Sequence, residues 1–120
     1  MVKYDIYTYD EMSDSLFLAF PVEYTFKEVI PLEEEVLLEI DQEGHPRALE
    51  ILNASTVFNT SKENLSNIRK VEMMIDVSEM YIKIDVSLTL LNVAEPVKVS
   101  ESVSNMLCIP LTDESLAVSL

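Results

Sequence analysis

The chain has 120 residues, 48% of them apolar, enough to bury a sizeable core in one compact domain (1–120) without disulfides or metal. Twenty-two acidic against 8 basic residues set the formal charge at −14, so the surface repels phosphate backbones and anionic lipid headgroups, and neither nucleic acid nor membrane is expected as a partner. Cys108 is the sole cysteine and permits no internal disulfide, the N-terminus lacks an apolar h-region, and no apolar run approaches the roughly 18 residues of a membrane span; a reducing cytoplasmic setting is expected.

In chain order, strand patterning comes first. Tyr9, Asp10, Glu11, Met12, Ser13 and Asp14 form a polar turn, after which Leu16, Leu18 and Phe20 alternate with Ser15, Phe17 and Ala19, predicting an antiparallel hairpin over 4–20. Val36, Leu38 and Ile40 alternate next, followed by a turn from Asp41 through Gly44 to Arg47 and a returning strand with Leu49 and Ile51; this predicts a second hairpin over 36–52. Leu16, Leu18, Leu38, Ile40, Leu49 and Ile51 are the expected core positions.

Thr60, Ser61, Lys62 and Glu63 have capping-box spacing, Leu65 and Ile68 share a helical face, and Arg69 and Lys70 suit a helix C-terminus, so one helix is predicted over 61–70. A helix this short depends on packing against a sheet. Val71, Met73 and Ile75 resume the period of two, a long strand with one wet face is predicted over 80–90 starting at Met80, and shorter patterns follow at Leu107, Ile109 and Leu111 and at Leu116, Val118 and Leu120. The total is eight to ten strands.

The stretches flanking the helix, 1–58 and 71–120, align as two diverged copies, with Ser15 opposite Glu79 and Phe26 opposite Val97. Any two alternating strands align comparably, so duplication and chance both account for the match. Gly44 is the only glycine. Turns must therefore be built from Asp, Asn, Ser and Pro, which favours loops longer than two residues with few positive-φ positions, and a glycine-rich phosphate loop cannot exist.

Two blocks carry a family resemblance. Tyr9, Asp10, Asp14, Ser15 and Leu16, then Leu38, Ile40, Asp41 and Gly44, followed by Glu50, Ile51, Leu52, Ala54 and Ser55, resemble the prokaryotic family catalogued as domain of unknown function 2283. The resemblance covers about the first half of the chain and implies a scaffold with no established activity, some of whose members look like partners of small toxin-like proteins. Many members carry glycine where this chain has Ala48, a departure that raises the question of which backbone dihedrals that position needs.

Chemistry-bearing residues are sparse. His45, the sole histidine, sits at the tip of the Asp41 turn, where a catalytic role would require a nucleophile such as Ser55 or Cys108 within reach. The turn carboxylates Asp10, Asp14, Asp41 and Glu43, with Glu11 beside them, are weak candidates for a hard cation, but their spacing is not that of an EF-hand loop. Paired-carboxylate hydrolysis needs two acids whose environments split their pKa values, and 22 acids make some close pair inevitable. Cys108, among Met106, Leu107 and Ile109, reads as a small packed residue.

The expected fold is α+β and β-rich: an antiparallel meander with one helix across it. The expected function is a non-catalytic interaction module, self-associating or recognising a basic protein partner through strand edges and an acidic surface, with no catalytic residue and no cofactor. An antitoxin-like partner of a small basic toxin is the variant the resemblance allows. A cation-binding or hydrolytic domain using the turn carboxylates is the alternative of another class.

Overall fold

In a computed structural model, residues 7–105 and 112–119 are described, the last stretch by its backbone course alone. The fold is β-rich α+β. Among the described residues, two antiparallel sheets are formed from nine strands: β1 (Tyr7–Asp10), β2 (Ser15–Ala19), β3 (Phe26–Glu33), β4 (Val36–Asp41), β5 (Pro46–Ile51), β6 (Ile68–Val77), β7 (Tyr81–Leu90), β8 (Val97–Ser104) and β9 (Thr112–Ser119). The first sheet has the order β1-β2-β5-β4-β3 and the second β8-β7-β6-β9.

Each sheet contains a meander of three consecutive strands with a fourth lying beside it, the Greek-key arrangement. In the first sheet the fourth strand, β2, precedes the meander; in the second, β9 follows it. The segments aligned as copies therefore hold different places, because β2 lies beside β5 whereas β7 lies beside β8, and strand order lends the duplication no support.

Both predicted hairpins form, apart from residues 4–6, which lie outside the described residues. All six expected core side chains are buried, and the apolar faces of both sheets contribute to one cluster that includes Leu16, Leu38, Ile51, Val71, Ile84 and Leu88. The central row of the first sheet crosses all five strands: Tyr7 opposes Leu18, Leu18 opposes Leu49, Leu49 opposes Leu38 and Leu38 opposes Ile30. Leu107, Cys108, Ile109, Leu111 and Leu120 lie outside the described residues, and the strand expected at Leu116 and Val118 is β9.

The helical region departs from expectation. Two four-residue helices replace the helix predicted over 61–70: α1 (Ala54–Val57) and α2 (Lys62–Leu65). Ser61 rather than Thr60 is the N-cap of α2, accepting a hydrogen bond from the Asn64 N–H at 3.0 Å. At the other end, the Ser66 hydroxyl and the Asn67 amide donate to the Lys62 and Glu63 carbonyls, satisfying acceptors the missing next turn would have used. Ile68, Arg69 and Lys70 thus open β6. A register shift between Ile68 and Lys70 moves the buried phase from Ile68 to Val71, and that spacing of three imitates a helical period.

Met80 is also displaced from its expected place. It is exposed in the β6–β7 turn, which Ser78 closes by donating its N–H to the Tyr81 carbonyl at 2.9 Å and accepting the Tyr81 N–H at its hydroxyl at 3.1 Å. Strands β3 and β8 were not among those predicted. Pro31 disguises β3, and it is tolerated because β3 is a sheet edge.

With one glycine, positive φ outside Gly44 is confined, among the described residues, to a few short polar residues, as expected. Asp14, Asn53, Asn59 and Asn92 have φ between 49° and 61°, the left-handed region that short polar side chains tolerate best after glycine. Ala48 needs no such conformation: it is a wholly buried β5 residue with negative φ. Ala48 sits between Ala19 and Glu39 in the sheet, and Glu39 accepts the Tyr24 hydroxyl at 2.5 Å. Among the described residues no helix is long and apolar enough to cross a membrane.

Candidate functional site

The turn carboxylates separate into two groups at opposite ends of β5, because Leu16 and Val36 both pair with Ile51 while the Asp41 turn leads into Pro46. The first group surrounds Asp14. Its carboxylate accepts the Tyr9 hydroxyl at 2.7 Å, the Ser55 hydroxyl at 2.6 Å and the Ser55 N–H at 3.0 Å, and its carbonyl accepts the Ala54 N–H at 2.9 Å. These contacts fasten the β1–β2 turn to the start of α1 and join the two ends of the sequence block that carries the family resemblance. Burial opposes ionisation of Asp14, but the hydrogen bonds from Ser55 and Tyr9 and the nearby Lys62 charge outweigh it and hold the carboxyl below its ordinary range. Tyr9 is pushed up in turn, by burial first and then by its bond to Asp14.

Tyr9→Phe removes one donor from this ionised acceptor and is expected to lower stability by about 1–2 kcal/mol, read as a shift of the urea midpoint with unchanged slope. No measurable shift would mean that Ser55 alone satisfies Asp14.

The second group surrounds Asp41, which is 1% exposed. One carboxylate oxygen accepts the Glu43 and His45 N–H groups, each at 2.9 Å, and the other accepts Arg47 Nε at 2.7 Å. Gly44, at φ 85°, supplies the reversal that brings both N–H groups onto one oxygen. Burial again pushes the Asp41 pKa upward; the Arg47 bond and charge and the two N–H bonds reverse the sign and keep it low. The Glu43 side chain is exposed and points away from this role.

Asp10 accepts the Met12 N–H at 3.0 Å within its own loop. The oxygens of Asp14 and Asp41 that a cation would need are thus engaged by the chain itself, and among the described residues no three His, Cys, Asp or Glu side chains gather in a metal-ligating group. His45 is half exposed, with Nδ1 3.5 Å from Arg47 Nη2 and 4.0 Å from Asp41. Ser55 lies at the other end of β5, hydrogen-bonded to Asp14, so the fold separates this histidine from that serine; Cys108 lies outside the described residues.

What the fold does assemble is a charged end. Residues 1–65 carry 14 acids and 4 bases, a net −10, against −4 for the remainder. The β1–β2 turn brings Asp10 and Glu11, and the β3–β4 turn brings Glu33, Glu34 and Glu35, to the same end of the first sheet. Four of these five are exposed, and Glu35 is half-buried, accepting the Asn53 side-chain amide at 3.0 Å. The second sheet instead balances its outer face, as in the exposed Lys70–Glu72 pair at 2.8 Å and the cross-strand pair Asp76 and Lys83. Individual spacing did not reveal the charged end, because the two turns are 20 residues apart in sequence and meet only through β5.

A two-sheet, β-rich domain stapled by buried aspartates is the class of protein this geometry defines. Residues 6–55 match the family described as protein of unknown function (DUF2283), and the chain belongs to that family through its N-terminal half. It is 35% identical over 89 residues, 74% of this chain and 68% of the other, to a protein of Methanosarcina mazei named as a putative hypoxanthine phosphoribosyltransferase. No solved structure matches.

Proposed function

We propose that this chain is a non-catalytic interaction module that recognises a basic protein partner through the acidic end of its first sheet. The observation that carries the reading is the gathering of Asp10, Glu11, Glu33, Glu34 and Glu35 by two turns onto one end, beside the buried Asp14, whose oxygens are used internally. Uniform solubilising charge would not require that concentration. Phosphoribosyl transfer, the activity in the relative's name, is not carried over, because the acidic end presents carboxylates where a phosphate group would require positive charge.

Calorimetric titration with a peptide of alternating lysine and valine tests the reading. Affinity is expected to fall steeply as salt rises from 0.1 to 1 M and the Debye length shrinks from about 10 to 3 Å. Joint replacement of Glu11, Glu33 and Glu34 by Gln is expected to weaken binding at least tenfold, while the same change at Glu43, Glu79 and Glu95, also exposed, has little effect. Equal losses for the two sets would reduce the interaction to net charge and contradict a localised surface.

A further inference from the structure

We infer that the partner enters as an extended strand, paired to the free edge of β1 in a groove between that edge and the end of α2. This deepens the preceding proposal and rests on it. A groove of about 440 Å³ is lined by Tyr7, Thr8, Tyr9, Leu65 and Ser66. Side chains of consecutive strand residues point to opposite faces, so a groove lined by all three neighbours Tyr7, Thr8 and Tyr9 follows the β1 backbone. That edge is the outer side of the first sheet, since among the described residues β1 pairs with β2 alone.

Two of the other edges, β3 and β8, are less open to an added strand. β3 carries Pro31, which has no N–H to offer, and two register shifts, while β8 lies against β3. At β1, an edge strand among the described residues, the groove is lined by the partly buried Tyr7 and Tyr9 and the exposed Thr8 and Ser66, and the Tyr7 hydroxyl has no hydrogen-bond partner among the described residues. Its far end opens onto Asp10 and Glu11, exposed carboxylates that complement lysine or arginine side chains on the incoming strand.

The experiment compares the alternating lysine and valine peptide with a copy N-methylated at every backbone nitrogen, which keeps side chains and charge but donates no main-chain hydrogen bond. The methylated copy is expected to bind the whole chain at least tenfold more weakly. Ser66→Trp, which fills the groove from its exposed rim without altering charge, is expected to weaken the unmethylated peptide to a similar extent. If that variant fails to fold, the methylation comparison decides. Equal affinity of the two peptides would overturn strand pairing at β1 while leaving recognition at the acidic end intact. Absence of binding by the unmethylated peptide at low salt would overturn both.

Discussion

Replacing Leu38 with alanine is expected to cost about 2–5 kcal/mol, the largest loss from any single apolar truncation in the first sheet. Leu38 is wholly buried at the middle of β4, with Leu49 on one side and Ile30 on the other, in the row that crosses all five strands. Leu49 is held by backbone ladders on both sides and Ile30 by its ladder with β4, so neither can collapse fully into the space left behind, and the lost transfer free energy is joined by a cavity term. Chemical denaturation would show a lower midpoint at constant slope. A change below roughly half a kcal/mol would mean that the row does not face the core.

Asp41→Ala should cost about 3 kcal/mol for a different reason. The substitution removes one acceptor from Arg47 Nε and from the Glu43 and His45 N–H groups, and these donors sit in a turn whose backbone geometry depends on it. Arg47 is 20% exposed, so water partly compensates the guanidinium, and the backbone donors account for the remainder. Asp41 and Asp14 both bind a proton less readily in the folded chain than unfolded, where the carboxyl titrates near 3.8. Their stabilising contribution is therefore complete above about pH 5 and lost as pH falls through and below that unfolded value. The gap between wild type and Asp41→Ala should accordingly narrow in acid. A gap that stays constant from pH 7 to pH 3 would mean that Asp41 is not the ionised acceptor of this turn.

Strand identity was legible wherever an uninterrupted period of two coincided with one buried face, as in β4, β5 and β7. It failed where an irregularity altered the period. Ile68, three residues after Leu65 of α2, completed an apparent helix face although it opens β6, and Pro31 hid an edge strand. The turn aspartates were legible as turn residues. Their partners were not, since Ser55 lies 41 residues from Asp14 and reaches it only after β2 and β5 pair. Sequence likewise shows a −14 charge but not its placement, which follows from a strand order that local patterns do not encode. That positive φ would be rare was legible from the single glycine; which residues adopt it, Asp14, Asn53, Asn59 and Asn92, was signalled only by asparagines at turn positions.

The most direct measurement is an amide chemical-shift map of the isotopically labelled chain during addition of the lysine and valine peptide at low salt. Recognition at the acidic end predicts shifts confined to residues 7–14, 33–35 and 65–66, vanishing at 1 M salt. Shifts centred on the Asp41 to Arg47 turn, or spread evenly over both sheets, would contradict it.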